Sequence, residues 1–223
     1  MDSTSRMVAL LAAMRRQRNG AVADGMRCYG AACGLNYGVS LPTLRTIARA
    51  ETPDHDFARL LFRQDVRELR LAALHIAVPE SLTVDEVEFW AAGLCNSEIA
   101  EEAAFALLHR SPVFPQLFET WISDHRPLVV YAASMAAVRW PAAPIGWCEA
   151  AIGAVVRWAA LVERGEQPDY AVRLIAQGAV ALSAVLGSRN EESRLTVLRA
   201  AGRGGDAPAL LFLREELAWR LER

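Results

Sequence analysis

The chain has 223 residues, of which 53% are apolar and 22% charged, and its formal net charge is −2. This length and composition suit one or two domains with a sizeable buried core, and they exclude a disordered or collagen-like chain. No uninterrupted apolar run reaches the roughly 18–20 residues of a membrane span. Arg15, Arg16 and Arg18 follow the short apolar run 7–14, where a signal peptide would need small residues at its cleavage site. We therefore expect a cytoplasmic protein.

Charge is distributed unevenly along the chain. All 24 basic residues are arginine, a bias typical of GC-rich, arginine-favouring genomes. Residues 1–49 carry seven arginines and two acids, whereas residues 50–125 carry five arginines and fourteen acids. The basic first quarter is compatible with a phosphate-binding face, and the acidic middle would repel DNA.

Helical periodicity dominates, and no run shows the alternation of a β-strand. Helices are predicted at residues 2–18, 23–33, 41–50, 54–63, 65–77, 84–94, 98–110, 113–123, 128–139, 145–164, 169–186, 191–201 and 207–222. Three helix starts carry recognisable caps: Ser40, Thr83 within a Thr-x-x-Glu capping box, and Ser97. No long linker separates these helices, so we expect a single domain over residues 1–223.

Three alanine-rich segments repeat through the middle of the chain. Their Ala-Ala centres begin at Ala72, Ala103 and Ala132, which are 31 and 29 residues apart. Small residues let helices approach closely, and one helix pair per ~30–45 residues is typical of an α-solenoid. We expect helices 65–77, 98–110 and 128–139 to lie side by side and parallel. The alternative is an irregular helical bundle whose alanine-rich helices resemble one another only in composition.

One segment, residues 36–45, is more specific than the rest. It reads Asn-Tyr-Gly-Val-Ser-Leu-Pro-Thr-Leu-Arg. Gly38 frees the backbone after Tyr37, and the proline starts a helix that places Arg45 and Arg49 one turn apart on one face. These two guanidinium groups could contact successive phosphates. The alternative is an ordinary helix start with solvated arginines.

This segment, together with the helix that follows at residues 65–73, resembles the tyrosine-glycine-valine, proline, arginine signature of the AlkD-type DNA alkylation-repair family. The resemblance implies an all-α, HEAT-like, armadillo-type superhelix of about 11–13 helices. It also implies a DNA partner and cleavage of the N-glycosidic bond of purines alkylated at N3 or N7.

The resemblance also implies where the chemistry would lie. Such a site needs a carboxylate near the sugar and aromatic side chains packed against the nucleotide. By position, the carboxylate falls on Glu101, which is the candidate catalytic residue. The family's aromatic pair falls on Asn96 and Ser97, and a later aromatic falls around Ala179 and Val180, so these aromatic walls are missing. Weak or absent glycosylase activity is therefore expected.

The candidate DNA-binding residues are arginines and aromatic residues. They lie in the first predicted helix, in the segment 36–49 and at the end of helix 128–139: Arg15, Arg16, Tyr37, Arg45, Arg49, Arg139 and Trp140. Trp140 is the best candidate for an exposed aromatic, and most of the other five tryptophans are expected in the core.

No cofactor or metal is expected. The chain lacks His-Glu-x-x-His, has no two histidines at i, i+4, and has no lysine for a P-loop. Because no Cys-x-x-Cys occurs, a disulfide framework is not expected either.

Two classes of function remain open. The first is an AlkD-like protein that binds DNA and repairs alkylated bases. The second is a non-catalytic helical-repeat scaffold whose concave surface binds a protein or nucleic-acid partner. A weaker third is a divergent member that acts on an unusual nucleotide.

Overall fold

The computed structural model describes residues 2–28 and 34–222. This part of the chain forms thirteen α-helices joined by short turns and contains no named β-strand, which confirms the predicted all-α class. By its internal contacts the chain divides into two compact units, Met1–Phe114 and Pro115–Arg223.

The first unit is built from seven α-helices. They are α1 (Ser3–Arg16), α2 (Gly20–Cys28), α3 (Leu41–Arg49), α4 (His55–Phe62), α5 (Arg67–Ile76), α6 (Val87–Ala92) and α7 (Ser97–Glu102). A π-helical turn, Ala103–Leu107, and a 3₁₀ turn, Leu108–Arg110, follow α7 directly. Two further 3₁₀ turns, Pro79–Ser81 and Val84–Glu86, precede α6.

Helix α5 is the centre of the first unit. It packs against α3, α4, α7 and the π-helical turn. The alanines of the first two repeat segments, including Ala72 and Ala103, are buried, so small side chains lie where these two segments meet. The predicted packing of helix 65–77 on helix 98–110 is therefore present. The stacking of the third segment stays a prediction, because it lies in the second unit.

Several predictions about local structure were wrong. Helix 98–110 is not continuous, because the α-helical pattern ends at Glu102 and passes into the π-helical turn. Asn96, rather than Ser97, caps α7. Thr83 makes no side-chain capping bond, because it precedes a 3₁₀ turn in which the N–H of Glu86 bonds to the Thr83 carbonyl. The Glu86 carboxylate contacts His55 and Arg59. Ser40 does cap α3, as predicted.

The second unit is organised around a long apolar helix. Its helices are α8 (Phe114–Trp121), which starts at the boundary, α9 (Pro127–Ala137), α10 (Gly146–Glu163), α11 (Asp169–Gly187), α12 (Glu191–Gly202) and α13 (Pro208–Leu221). Helix α11 packs against α9, α10, α12 and α13. It is long and apolar enough to cross a membrane, but most of it is buried within the unit, as expected for a core helix.

The cysteine positions add a correction, and the tryptophan positions confirm that most tryptophans lie in the core. Cys95 is disulfide-bonded, although the sequence spacing gave no reason to expect a disulfide. Trp219 is 65% exposed, whereas Trp90, Trp121, Trp147 and Trp158 are buried in the core as predicted. Part of the predicted helix 23–33 lies outside the described residues.

Candidate nucleic-acid interface

A buried carboxylate fixes the loop that precedes α3. Glu68, on α5, accepts hydrogen bonds from the backbone N–H groups of Tyr37, at 3.2 Å, and Val39, at 3.3 Å. The guanidinium of Arg67 donates to Glu68 at 2.9 Å and to the carbonyl of Val39 at 3.0 Å. Both side chains of this pair are buried, so the backbone of the loop is satisfied by charged groups inside the protein.

The conformation of the same loop depends on glycine. Gly38 has a φ of 69°, in the left-handed region, and a Cβ there would overlap the carbonyl oxygen of Asn19. Asn36 accepts from the Gly38 N–H at 2.7 Å, and the N–H of Asn19 donates to the Tyr37 carbonyl at 2.8 Å. Because Asn19 lies just beyond α1, these bonds place Tyr37 beside the end of α1.

The end of α1 is strongly basic. Arg15, Arg16 and Arg18 are exposed and line an open depression of about 470 Å³ together with Ala12. None of the described residues lining it is acidic, and none of the three arginines forms an ion pair within residues 2–28 and 34–222. The Arg15 guanidinium lies 5.7 Å from the ring centre of Tyr37.

The predicted residues Arg15, Arg16 and Tyr37 are therefore brought together. Arg18, which was not among the predicted DNA-binding residues, joins them. Its position two residues beyond Arg16, just past the helix end, was the signal that could have included it.

Arg45 is tied to a buried carboxylate instead of standing free on its helix. Its Nε and Nη2 atoms lie 2.9 and 2.5 Å from the two carboxylate oxygens of Glu102. The Nε2 atom of His75 contacts the same carboxylate at 2.9 Å. The Arg45 side chain remains 37% exposed but is paired with Glu102, whereas Arg49, the other arginine predicted to contact phosphate, is exposed.

The charge state of Glu102 follows from these contacts. Burial by itself raises the pKa of this carboxyl group. Hydrogen bonds and charge from His75 and Arg45 outweigh burial and lower the pKa of Glu102 to about 2. The carboxylate is thus ionised at neutral pH, and it anchors α3 to the end of α7.

The three acids of α7 have different surroundings. Glu98 receives two hydrogen bonds from Arg67, at 2.7 and 2.5 Å, and Glu102 is buried as described above. Glu101, the candidate catalytic residue, lies between them and is partly exposed. Glu101 is therefore more exposed than the buried Glu102.

The family resemblance implies aromatic side chains in a base pocket, and this chain has no aromatic residue at any of the implied positions. Asn96 is buried, and its Oδ1 accepts from the N–H of Ile99 at 2.9 Å, so it serves as the cap of α7. Ser97 is an exposed hydroxyl residue. Ala179 and Val180 are buried in α11, within the core of the second unit.

Replacing Asn96 with alanine should destabilise the first unit by about 1 kcal/mol, because the first turn of α7 would lose its side-chain cap. Urea denaturation measures this change. Ser97→Ala is the matched control, because Ser97 is adjacent and exposed and should change the free energy of unfolding by less than about 0.5 kcal/mol. Equal losses in the two variants would contradict the assigned cap.

The other predicted residues lie in the second unit. Arg139 and Trp140 follow α9, where Arg139 is exposed and Trp140 partly exposed. Their participation in one interface with the end of α1 stays a prediction. Within the described part of the chain, no group of three or more His, Cys, Asp or Glu residues is arranged to hold a metal ion.

Comparison with known proteins places this geometry in context. A family model described as DNA alkylation repair enzyme matches residues 10–162. No curated protein matches the chain. A solved structure from "a new family of proteins related to the HEAT-like repeat DNA glycosylases with affinity for branched DNA structures" aligns with a TM-score of 0.67. It covers 99% of this chain and 96% of its own, at 14% identity, and it confirms the predicted HEAT-like repeat fold.

Proposed function

Because the chain belongs to the DNA alkylation repair enzyme family, we propose that it is a cytoplasmic protein that binds DNA through the end of α1 and the Tyr37 loop. We further propose that it excises alkylated purines weakly or not at all. Glycosylase function would then have been lost while the DNA-binding scaffold was kept.

The basic end of α1 is the observation that carries the DNA-binding part. Three exposed arginines around an open depression, with no acid among its described lining residues, form a surface that attracts phosphates. The ring of Tyr37 adds an aromatic group beside them, suited to a sugar or base. The affinity of the structural neighbour's family for branched DNA supports a similar ligand here.

Two exposed arginines of this surface give a direct test. Arg15→Ala combined with Arg16→Ala should weaken duplex binding and lower the slope of log K against log salt by up to about 2, since fewer counterions are released. Fluorescence anisotropy at several salt concentrations measures both effects. The control is Arg199→Ala with Arg203→Ala, which removes the same charge from exposed positions near the end of α12. An unchanged slope in the first variant would remove the end of α1 from the interface.

The proposal of weak or absent excision rests on the residues that occupy the positions of the family's aromatic pocket. A capping asparagine, an exposed serine and two buried aliphatic residues replace the aromatic walls. Stacking contributes about 1–3 kcal/mol per base, so two missing contacts correspond to about 10²-fold or more in lesion recognition. Glu101 remains as a carboxylate that could assist departure of a cationic base.

Release of 7-methylguanine or 3-methyladenine from alkylated DNA tests this part. We expect little or no release from a preparation that binds the same DNA. Robust release by the wild type that disappears in Glu101→Gln, with unchanged circular dichroism, would overturn the proposal and make Glu101 the catalytic carboxylate.

The scaffold alternative has less support. Its basis is the missing aromatic pair at Asn96 and Ser97 together with the acidic charge, which is concentrated in residues 50–125. Several of these acids face arginines inside the first unit: Glu68 and Glu98 contact Arg67, and Glu102 contacts Arg45. These three acids are therefore ion-pair partners of arginines and are not free surface charges.

A further inference from the structure

A cavity of about 310 Å³ lies between the N-terminal parts of α11 and α13 in the second unit. Its described lining residues come from these two helices only: Asp169, Arg173, Gln177, Pro208, Ala209 and Phe212. All six lie beyond residues 10–162, the part matched by the family model. Nothing in the family assignment therefore gives this cavity a role.

The two helices line the cavity with different chemistry. On the α13 side, Pro208, Ala209 and Phe212 provide an apolar wall, and Phe212 is 39% exposed. On the α11 side, Asp169, Arg173 and Gln177 are spaced four residues apart, which places a carboxylate, a guanidinium and an amide in one row on one helix face.

The polar row is only partly engaged within the protein. Nη2 of Arg173 and Oδ2 of Asp169 lie 2.5 Å apart, so this pair is close to neutral as a whole. The amide of Gln177 forms no hydrogen bond with the residues that the structure describes, and it offers both a donor and an acceptor. Arg173 and Gln177 are exposed and reachable from solvent.

A ligand for this cavity needs a flat apolar face and a polar edge. The face would stack on Phe212, and the edge would meet the amide of Gln177 and the guanidinium of Arg173. A nucleobase has this combination: every base has a π-face, and glutamine amides pair with base edges. A simple hydrocarbon would leave the Gln177 amide unused, and a free phosphate would leave the Phe212 ring unused.

We propose that this cavity binds an unpaired nucleobase, as presented at a DNA branch or a single-base bulge. The inference rests on the proposed DNA-binding function, and it adds a basis for discrimination between perfect and imperfect duplexes. Phosphate contacts at the end of α1 carry no information about pairing, whereas a base cavity accepts only a base that has left its stack.

The test compares two DNAs of the same sequence, a perfect duplex and one with a single extra 2-aminopurine. We expect the wild type to bind the bulged DNA more tightly and to quench 2-aminopurine fluorescence, as stacking on Phe212 requires. Phe212→Ala should reduce the preference for bulged DNA about tenfold, with perfect-duplex affinity changed less than twofold. Gln177→Ala, at an exposed position, should also reduce the preference.

Leu211→Ala is the matched control, because Leu211 is 42% exposed on α13 but does not line the cavity. It should retain both the preference and the quenching. Equal affinity of the wild type for the two DNAs, or full preference in both cavity variants, would overturn this inference and leave the proposed function standing. Absence of binding to either DNA would overturn both.

Discussion

Glu68→Ala is expected to lower the free energy of unfolding by about 2–5 kcal/mol, because it removes the buried acceptor of two backbone N–H groups and of Arg67. The change leaves the buried Arg67 paired with Glu98 and bonded to the Val39 carbonyl, and it deprives the N–H groups of Tyr37 and Val39 of their acceptor. The loop would then keep the bond from the Asn19 N–H to the Tyr37 carbonyl but lose the bonds that tie its other side to α5. Weaker DNA binding should accompany the loss of stability.

Urea denaturation monitored by circular dichroism measures this effect, and anisotropy measures binding to a duplex. Glu68→Gln should recover part of the stability, since its amide oxygen still accepts a backbone hydrogen bond. Glu80→Ala is the control, because Glu80 is an exposed acid in the same unit and should change stability by less than about 0.5 kcal/mol. A loss below about 1 kcal/mol in Glu68→Ala would mean that the loop is held by other contacts.

Local sequence rules predicted most of the helices and the closeness of some candidate residues. Residues on one turn of a helix, such as Arg15 and Arg16, are close in space whatever the rest of the fold does. The roles of Gly38 and Ser40 could also be predicted from the sequence. Gly38 adopts a left-handed backbone conformation, and Ser40 accepts a hydrogen bond from a nearby N–H. Features of this kind involve residues only a few positions apart, so they can be predicted from the sequence alone.

Contacts between segments that are distant in sequence could not be predicted from these local rules. Arg45 and Glu102 are 57 positions apart, and only the packing of α3 and α7 on α5 brings them together. The same packing turned two apparent surface acids, Glu98 and Glu102, into partners of arginines. The cavity beside Phe212 is likewise formed where two helices far apart in sequence converge, so no motif pointed to it.

The ion pair of Glu102 should make the stability of the first unit depend on acidic pH. The pKa of Glu102 is about 2 in the folded protein, against its ordinary value of 4.5. Unfolding therefore takes up a proton between these values, so the free energy of unfolding falls as pH falls from about 4.5 to 2. Above pH 5 the stabilisation by this carboxylate is fully present.

Glu102→Gln separates this effect from general acid denaturation. At pH 7 the variant should be less stable than the wild type by about 3–5 kcal/mol, because Arg45 and His75 lose a buried charged partner. The difference should shrink as pH falls toward 2, since the wild-type carboxylate is then protonated as well. Glu215→Gln, an exposed acid on α13, should follow the wild-type pH profile throughout. A constant gap between Glu102→Gln and the wild type from pH 7 to pH 2 would show that the loss comes from altered packing and not from the charge that binds α3 to α7.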